Sequence, residues 1–192
     1  NNGVLFNDSS LKAAHFMELC NQNHTPLVFL QNITGYMVGK EYERNGITKD
    51  GAKMIMVQAC SEVPKFTIMT NGSFGAGNYG MCGRAFDART LFSWPNSEIS
   101  VMGPEQAIGV LLSVKLAQLK RDGINPDEKE LEAIREQVLA NYENQTSAYF
   151  TSSEIWDDGI IDPLDTRNAL AISLEASLNA PFGDPRYGVL RL

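Results

Sequence analysis

Histidine is nearly missing from this sequence, with two among 192 residues, His15 and His24. Neither stands in a motif that would make it a general base: His15 belongs to a helical stretch and His24 precedes Thr25-Pro26. The chain therefore offers no Ser/His/Asp or Cys/His constellation for nucleophilic catalysis. Cysteine is scarce and odd in number (Cys20, Cys60, Cys82), with no CxxC pair. That excludes a disulfide framework and a thiolate metal site, and fits buried free thiols in a reducing compartment. No apolar run approaches the ~20 residues that span a bilayer, and no signal-peptide pattern is present. Cations are outnumbered, 16 Lys and Arg against 23 Asp and Glu, for a formal charge of -7. Nucleic acid is a poor partner for such a chain, because phosphate backbones need clustered Lys and Arg. The initiator Met is absent as well: Asn1 opens directly into Asn2-Gly3-Val4-Leu5-Phe6, and we expect a piece of a longer protein.

What is present is an ordinary globular composition, 43% hydrophobic and 20% charged. It suits one domain with a substantial core, or one half of a two-domain protein. Strand-like and helix-like segments alternate, which predicts an α/β layered fold with a mostly parallel sheet. Gly3–Phe6 reads as a strand. Asp8, Ser9 and Ser10 offer N-cap oxygens for a helix to about Asn21, with Ala13, Phe16, Met17 and Cys20 as its apolar stripe. Leu27–Leu30 is a continuous apolar run of the kind that fills a buried parallel strand. A helix over about Lys49–Glu62 places Ala52, Ile55, Met56, Ala59, Cys60 and Val63 on one face, and Pro64 ends it. Phe66–Met69, Leu91–Trp94 and Ile99–Met102 read as further strands. Pro104 starts a helix to about Lys120. Asn125-Pro126-Asp127-Glu128 starts another, with cap, Pro and acids at the positive end of the dipole, and Leu131, Ile134, Val138 and Tyr142 on one side. The last helix runs over about Thr166–Leu178. The sheet falls in the first half of the chain and helices dominate the second.

The stretch that could carry chemistry is Gly72-Ser73-Phe74-Gly75-Ala76-Gly77-Asn78-Tyr79-Gly80-Met81-Cys82-Gly83. A glycine-rich turn between a buried strand and a helix start aims unpaired N–H groups at one point, with the helix dipole behind them. A phosphate or a developing oxyanion could use that point. No Lys follows the glycines, so a P-loop is excluded. Gly75–Gly80 matches GxGxxG literally, but no acidic residue is clearly placed about 20 residues on to complete a dinucleotide fingerprint. A purely structural turn and an oxyanion site remain. The mixed charges of Lys40, Glu41, Glu43 and Arg44 read as a solvated face, and Cys82 as an inert small residue.

Asn32-Ile33-Thr34-Gly35-Tyr36-Met37-Val38-Gly39 and Ser73–Ala85 resemble signatures of the carboxyltransferase (beta) subunits of biotin-dependent acyl-CoA carboxylases, of the 3-methylcrotonoyl-CoA and geranyl-CoA type. Ser100–Ala107 and Trp156–Pro163 are similar to the same family, and the blocks run in order along the whole chain. The resemblance implies a crotonase-like (ClpP/crotonase) fold, with residues 1–192 forming the C-terminal of two such domains. It implies carboxyl transfer from carboxybiotin, carried by the biotin carboxylase/biotin carrier alpha subunit, to an acyl-CoA held mainly by the first domain of a facing subunit. CoA is compatible with the net charge, since it needs only a local basic patch. The matching oxyanion donors are the N–H groups of Ala76 and Gly77; related carboxyltransferases have Gly-Ala at this pair, so the order differs while both donors survive. Gly35, Tyr36, Phe74, Gly75 and Asn78 are the implied biotin-side residues, with Tyr36 as a pocket wall. A base supplied by the cofactor suits a chain without a catalytic histidine, and no metal is expected.

The resemblance further implies a homo-oligomer of beta subunits, hexameric in the intact enzyme, in bacterial cytoplasm or mitochondrial matrix, with the present piece inactive alone. Geranyl-CoA or propionyl-CoA carboxylation is an alternative. A crotonase-superfamily hydratase or isomerase is another; it would need its own base, for which Glu62 and Asp87 are candidates without motif support. A non-catalytic assembly module is the third reading.

Overall fold

The computed structural model describes residues 2–125 and 127–189. Strands β2 (Leu27–Ile33), β4 (Lys65–Phe74), β5 (Thr90–Ser93) and β6 (Glu98–Ser100) form one sheet, and β1 (Val4–Leu5) pairs with β3 (Gly35–Tyr36) in a second. Every pairing between these strands is parallel. Strand β4 is the spine: β2 flanks it on one side, while β5 and then β6 follow its two halves on the other. Helices α1 (Asn7–Gln22) and α3 (Ile47–Ala59) pack together, and their Met17, Cys20, Met54 and Val57 meet Leu27, Phe29 and Ile33 of β2 in the main core. On the opposite face, beside β5, α8 (Thr166–Ser177) is pinned by Ser173 to Thr90 and by Thr166 to the Trp94 indole N–H.

A separate hairpin is made by α5 (Pro104–Asp122) and α6 (Glu128–Gln145), around Ala107, Ile108 and Val138. Leu131, Ile134, Val138 and Tyr142 do share its inner side. The cap of α6 is Asp127, whose carboxylate accepts the Lys129 N–H at 3.0 Å, not Asn125; Pro126 lies outside the described residues. The short helices α2 (Lys40–Arg44), α4 (Gly75–Gly80) and α7 (Ala148–Ser153) complete the chain, and α2 buries none of its residues, in keeping with a solvated charge cluster.

Three expectations change. The run Leu27–Leu30 is not buried throughout: β2 is an edge strand with alternating burial, and Val28 and Leu30 are 51% and 57% exposed. Along α1 the buried stripe is Ser10, Ala14, Met17, Cys20 and Asn21, with Phe16 60% exposed. The helix starts earlier than expected, after Phe6, whose N–H is taken by Ser9 Oγ at 2.7 Å. In α3 the buried face is Ile47, Gly51, Met54, Val57 and Gln58, rotated from the expected one, and the helix ends at Ala59, ahead of Pro64. Both rotations have one cause: buried polar residues sit on the inner face. Asn21 takes the N–H of Glu62 at 3.0 Å and donates to Ser61 at 2.8 Å, tying α1 to the end of α3. A pattern of apolar residues alone does not see such an anchor.

Candidate active site

Parallel strands present their C-terminal ends together, and ligand sites of α/β folds collect there. Here β4 runs five residues past the expected Met69, so Gly72 and Ser73 are strand rather than turn. The turn itself is confined to Gly75, where φ is +55° and a Cβ would stand 2.9 Å from the Val101 carbonyl oxygen. Only glycine fits that junction without strain. The helix α4 starts there, with Gly75, Ala76 and Gly77 as its first three residues. The opening amides of a helix have no partner within it, and no loop or side-chain acceptor among the described residues takes the amides of Ala76 or Gly77.

Helix α4 is seated by close backbone approach and by a buried polar network. A Cβ on Gly77 would meet Ile33 at 2.8 Å and the Gly35 Cα at 3.1 Å, so α4 lies directly over the end of β2. Beneath it, Ser73 Oγ donates to Gln31 Oε1 at 2.5 Å, Asn78 Nδ2 donates to Ser73 Oγ at 2.8 Å, and Gln31 Nε2 donates to the Met81 carbonyl at 2.6 Å. Gln31 and Ser73 are fully buried and Asn78 is 8% exposed. Cys82, also buried, has its thiol pushed up to about 11 chiefly by burial, which fits an inert role.

Ala76 borders two cavities. The larger, about 790 Å³, is lined by Gly75, Ala76, Tyr79 and Arg84 near α4, by Val101 after β6, and by Leu111, Val138, Tyr142, Phe150 and Trp156 from the helical half. The smaller, about 340 Å³, lies under β3 and α3, with Tyr36, Met37, Val38, Ile47 and Ile55 around Ala76. Tyr36 lines this smaller cavity. Its hydroxyl is directed at the Gly51 carbonyl at 3.4 Å, and burial pushes its pKa up to about 12, so it stays neutral. The other expected residues divide. Gly75 and Asn78 border the larger cavity, but the Asn78 amide is engaged inside the protein. Gly35, Phe74 and the expected donor Gly77 line neither cavity: Gly77 is buried, Gly35 supports it, and the Phe74 ring lies against Gly72. Glu62 and Asp87 border neither cavity.

Leu111, Val138 and Phe150 reach the cleft only through tertiary packing, which apolar spacing along a helix does not announce. Arg84 and Trp156 belong to the motif blocks Ser73–Ala85 and Trp156–Pro163, whose resemblance by itself implies no role for either. Among the described residues no group of His, Cys, Asp and Glu could hold a metal ion, and no helix is long and apolar enough to cross a membrane.

The sequence and the fold both match known proteins. The chain is 54% identical over 192 residues to the mitochondrial methylcrotonoyl-CoA carboxylase beta chain of Arabidopsis thaliana, covering 100% of this chain and 33% of that protein. It is 52% identical over 194 residues to the biotin-dependent 3-methylcrotonyl-coenzyme A carboxylase beta1 subunit of Mycobacterium tuberculosis, covering 36% of it. Thus the chain spans about a third of the length of these relatives. In three dimensions it superposes on the beta subunit of geranyl-CoA carboxylase from P. aeruginosa with a TM-score of 0.84 at 41% identity, over 98% of this chain and 36% of that one. The transcarboxylase 12S structure, a hexamer with methylmalonyl-coenzyme A bound, matches with a TM-score of 0.83 at 30% identity, over 98% and 35%. The fold is thus the crotonase-like one of carboxyltransferases. The carboxyl transferase domain pattern matches residues 1–186, and the chain belongs to that family.

Proposed function

We propose that this chain is the C-terminal carboxyltransferase domain of a two-domain beta subunit, and that it transfers a carboxyl group from carboxybiotin to an acyl-CoA, 3-methylcrotonoyl-CoA. The observation that carries the reading is Ala76: it lies in the first turn of α4, exposed, at the border of both cavities. Relatives named for methylcrotonoyl-CoA, at 52–54% identity, support the choice of acyl group.

The residues suit biotin. Its ureido group is uncharged and presents a carbonyl oxygen, and what Ala76 offers at the cavity border is a backbone N–H; the carboxylate that lines the smaller cavity, Glu43, is engaged by Thr48 Oγ1 at 2.8 Å. The smaller cavity, at about 340 Å³ with apolar walls, has room for a bicyclic ring. When bound, carboxybiotin supplies the carboxyl group as CO2 when its N–C bond breaks, and its ureido nitrogen takes the γ proton of the acyl group, whose freed electron pair forms the new C–C bond. The Ala76 and Gly77 amides meet the negative charge that builds on the ureido oxygen during that exchange. They are held in place beforehand by Gly75, by the Gly77–Gly35 contact and by the Gln31–Ser73–Asn78 network, so no reorganisation is needed as charge develops. Tyr36, neutral and fixed, walls the ring. The acyl group enters the larger cavity from the facing subunit's first domain. The alpha subunit delivers biotin, the beta subunits assemble as a hexamer, and the compartment is bacterial cytoplasm or mitochondrial matrix.

The test removes one donor. Proline is tolerated in a helix's first turn, where its missing N–H bonds nothing within the helix. In the complete carboxylase, Ala76→Pro should lower kcat by about 10²–10³-fold, and the isolated chain carrying it should stop binding biotinylated carrier protein. Unchanged turnover in a variant with wild-type melting behaviour would refute the oxyanion role.

A further inference from the structure

Arg84 is the only charged side chain among the described residues lining the larger cavity. Val101, Leu111, Val138, Phe150 and Trp156 make the apolar part of the lining, and Ser100, Asn141, Gln145 and Thr146 add uncharged polar groups. The guanidinium is aimed by Asp158, whose Oδ1 accepts from Arg84 Nη1 at 2.9 Å. Asp158 is itself fixed to the sheet. Its Oδ2 takes the Leu91 N–H at 2.8 Å, and its own N–H donates to the Leu91 carbonyl at 2.8 Å. No other hydrogen bond among the described residues uses the guanidinium, so one edge is held and the remaining N–H groups are available. The pair is half-exposed, with 47% of the Arg84 side chain and 36% of the Asp158 side chain accessible, yet Asp158 is anchored twice to Leu91 of β5, and Arg84 stands two places beyond Cys82 and beside the site helix.

From this geometry we propose that Arg84 is the carboxylate receptor of the larger cavity, pairing with the carboxylate that the reaction creates on the acyl chain. The inference rests on the functional reading above. Across the reaction one carboxylate leaves the ureido nitrogen and one appears on the acyl γ carbon, while one proton moves from that carbon to the nitrogen. The net charge is unchanged. A carboxylate formed against the apolar part of that lining is poorly solvated on that side unless a cation meets it. The guanidinium fork matches a carboxylate edge-on with two parallel N–H bonds, which a lysine does not reproduce. Arg84 thereby distinguishes the carboxylated ester from the uncarboxylated one, although both carry the same CoA.

The experiment titrates two esters, 3-methylcrotonoyl-CoA and its γ-carboxylated counterpart, onto the complete beta subunit by calorimetry. Arg84→Gln should weaken the carboxylated ester about tenfold or more, while the uncarboxylated ester changes less than about twofold. Arg84→Lys should recover part of the loss, and Asp158→Asn, which leaves the guanidinium unaimed, should fall between. Equal weakening of both esters, or no change in either, overturns the proposal: Arg84 would then meet the CoA portion or serve only the fold. A wild-type subunit that binds neither ester overturns the functional reading itself, and this proposal with it.

Discussion

At Asn78 a polar residue beside a glycine turn suggests a ligand contact, yet its amide is engaged with Ser73 and Gln31. Its value to the site is mechanical: it bolts α4 to β2 and β4, and with them the Ala76 and Gly77 amides. The same economy holds at Asp50, which joins α3 to the start of α1. It accepts from Asn7 Nδ2 at 2.9 Å and Lys53 Nζ at 3.0 Å. Burial alone would raise its pKa, but the hydrogen bonds from Asn7 and Lys53 and the charges of Lys53 and Lys49 outweigh it and hold the carboxyl below its usual range. A lowered folded-state pKa means that the contribution to stability is complete above the unfolded value and is lost as pH falls through the folded one. Asp50→Asn should therefore lower the urea midpoint at neutral pH, and the gap to the wild type should narrow once pH drops below about 4.

On the scale of elements, β2 shows how edge position overrides composition. Its register with β4 sets Phe29 against the helical layer and Leu30 toward the other face, where α8 lies over β5 and leaves the β2 edge open. Phe29→Ala should cost about 3–5 kcal/mol in denaturant unfolding, through lost burial and the cavity left behind. Leu30→Ala in the same chain should cost under about 1 kcal/mol. Similar losses at both positions would mean that the outer face of β2 is covered. Legibility followed the same line. The parallel α/β order, the α5 start at Pro104 and the α8 span could be read directly, because Pro, glycine and apolar spacing act locally. The buried faces of α1 and α3 could not, because Asn21 and Gln58 are buried through partners far along the chain, Ser61 and Glu62 for the first and Phe86 for the second.

For the molecule as a whole, the two cavities meet at α4, and each draws on one half of the chain: β3 and α3 for the smaller, and β6 with the α5–α7 region for the larger. The acyl-CoA itself is held, on the reading above, by a domain that makes up part of the other two thirds of the relatives' length. The present chain alone should then give no carboxylation above background, measured as incorporation of labelled bicarbonate with an alpha subunit and 3-methylcrotonoyl-CoA. It should still bind biotinylated carrier. Turnover by this chain alone would show that the acyl site is complete within it.

What the sequence by itself determined was the α/β class, the position of the glycine junction and the family resemblance carried by its motif blocks, all of which depend on residues adjacent in the chain. Tertiary structure alone decided that Ala76 stands at the border of both cavities, that Gln31 and Ser73 hold the helix α4 in place, and that Asp158 aims Arg84 from 74 residues away. Those features are contacts between distant segments, and their existence depends on strand register and helix placement rather than on any local pattern.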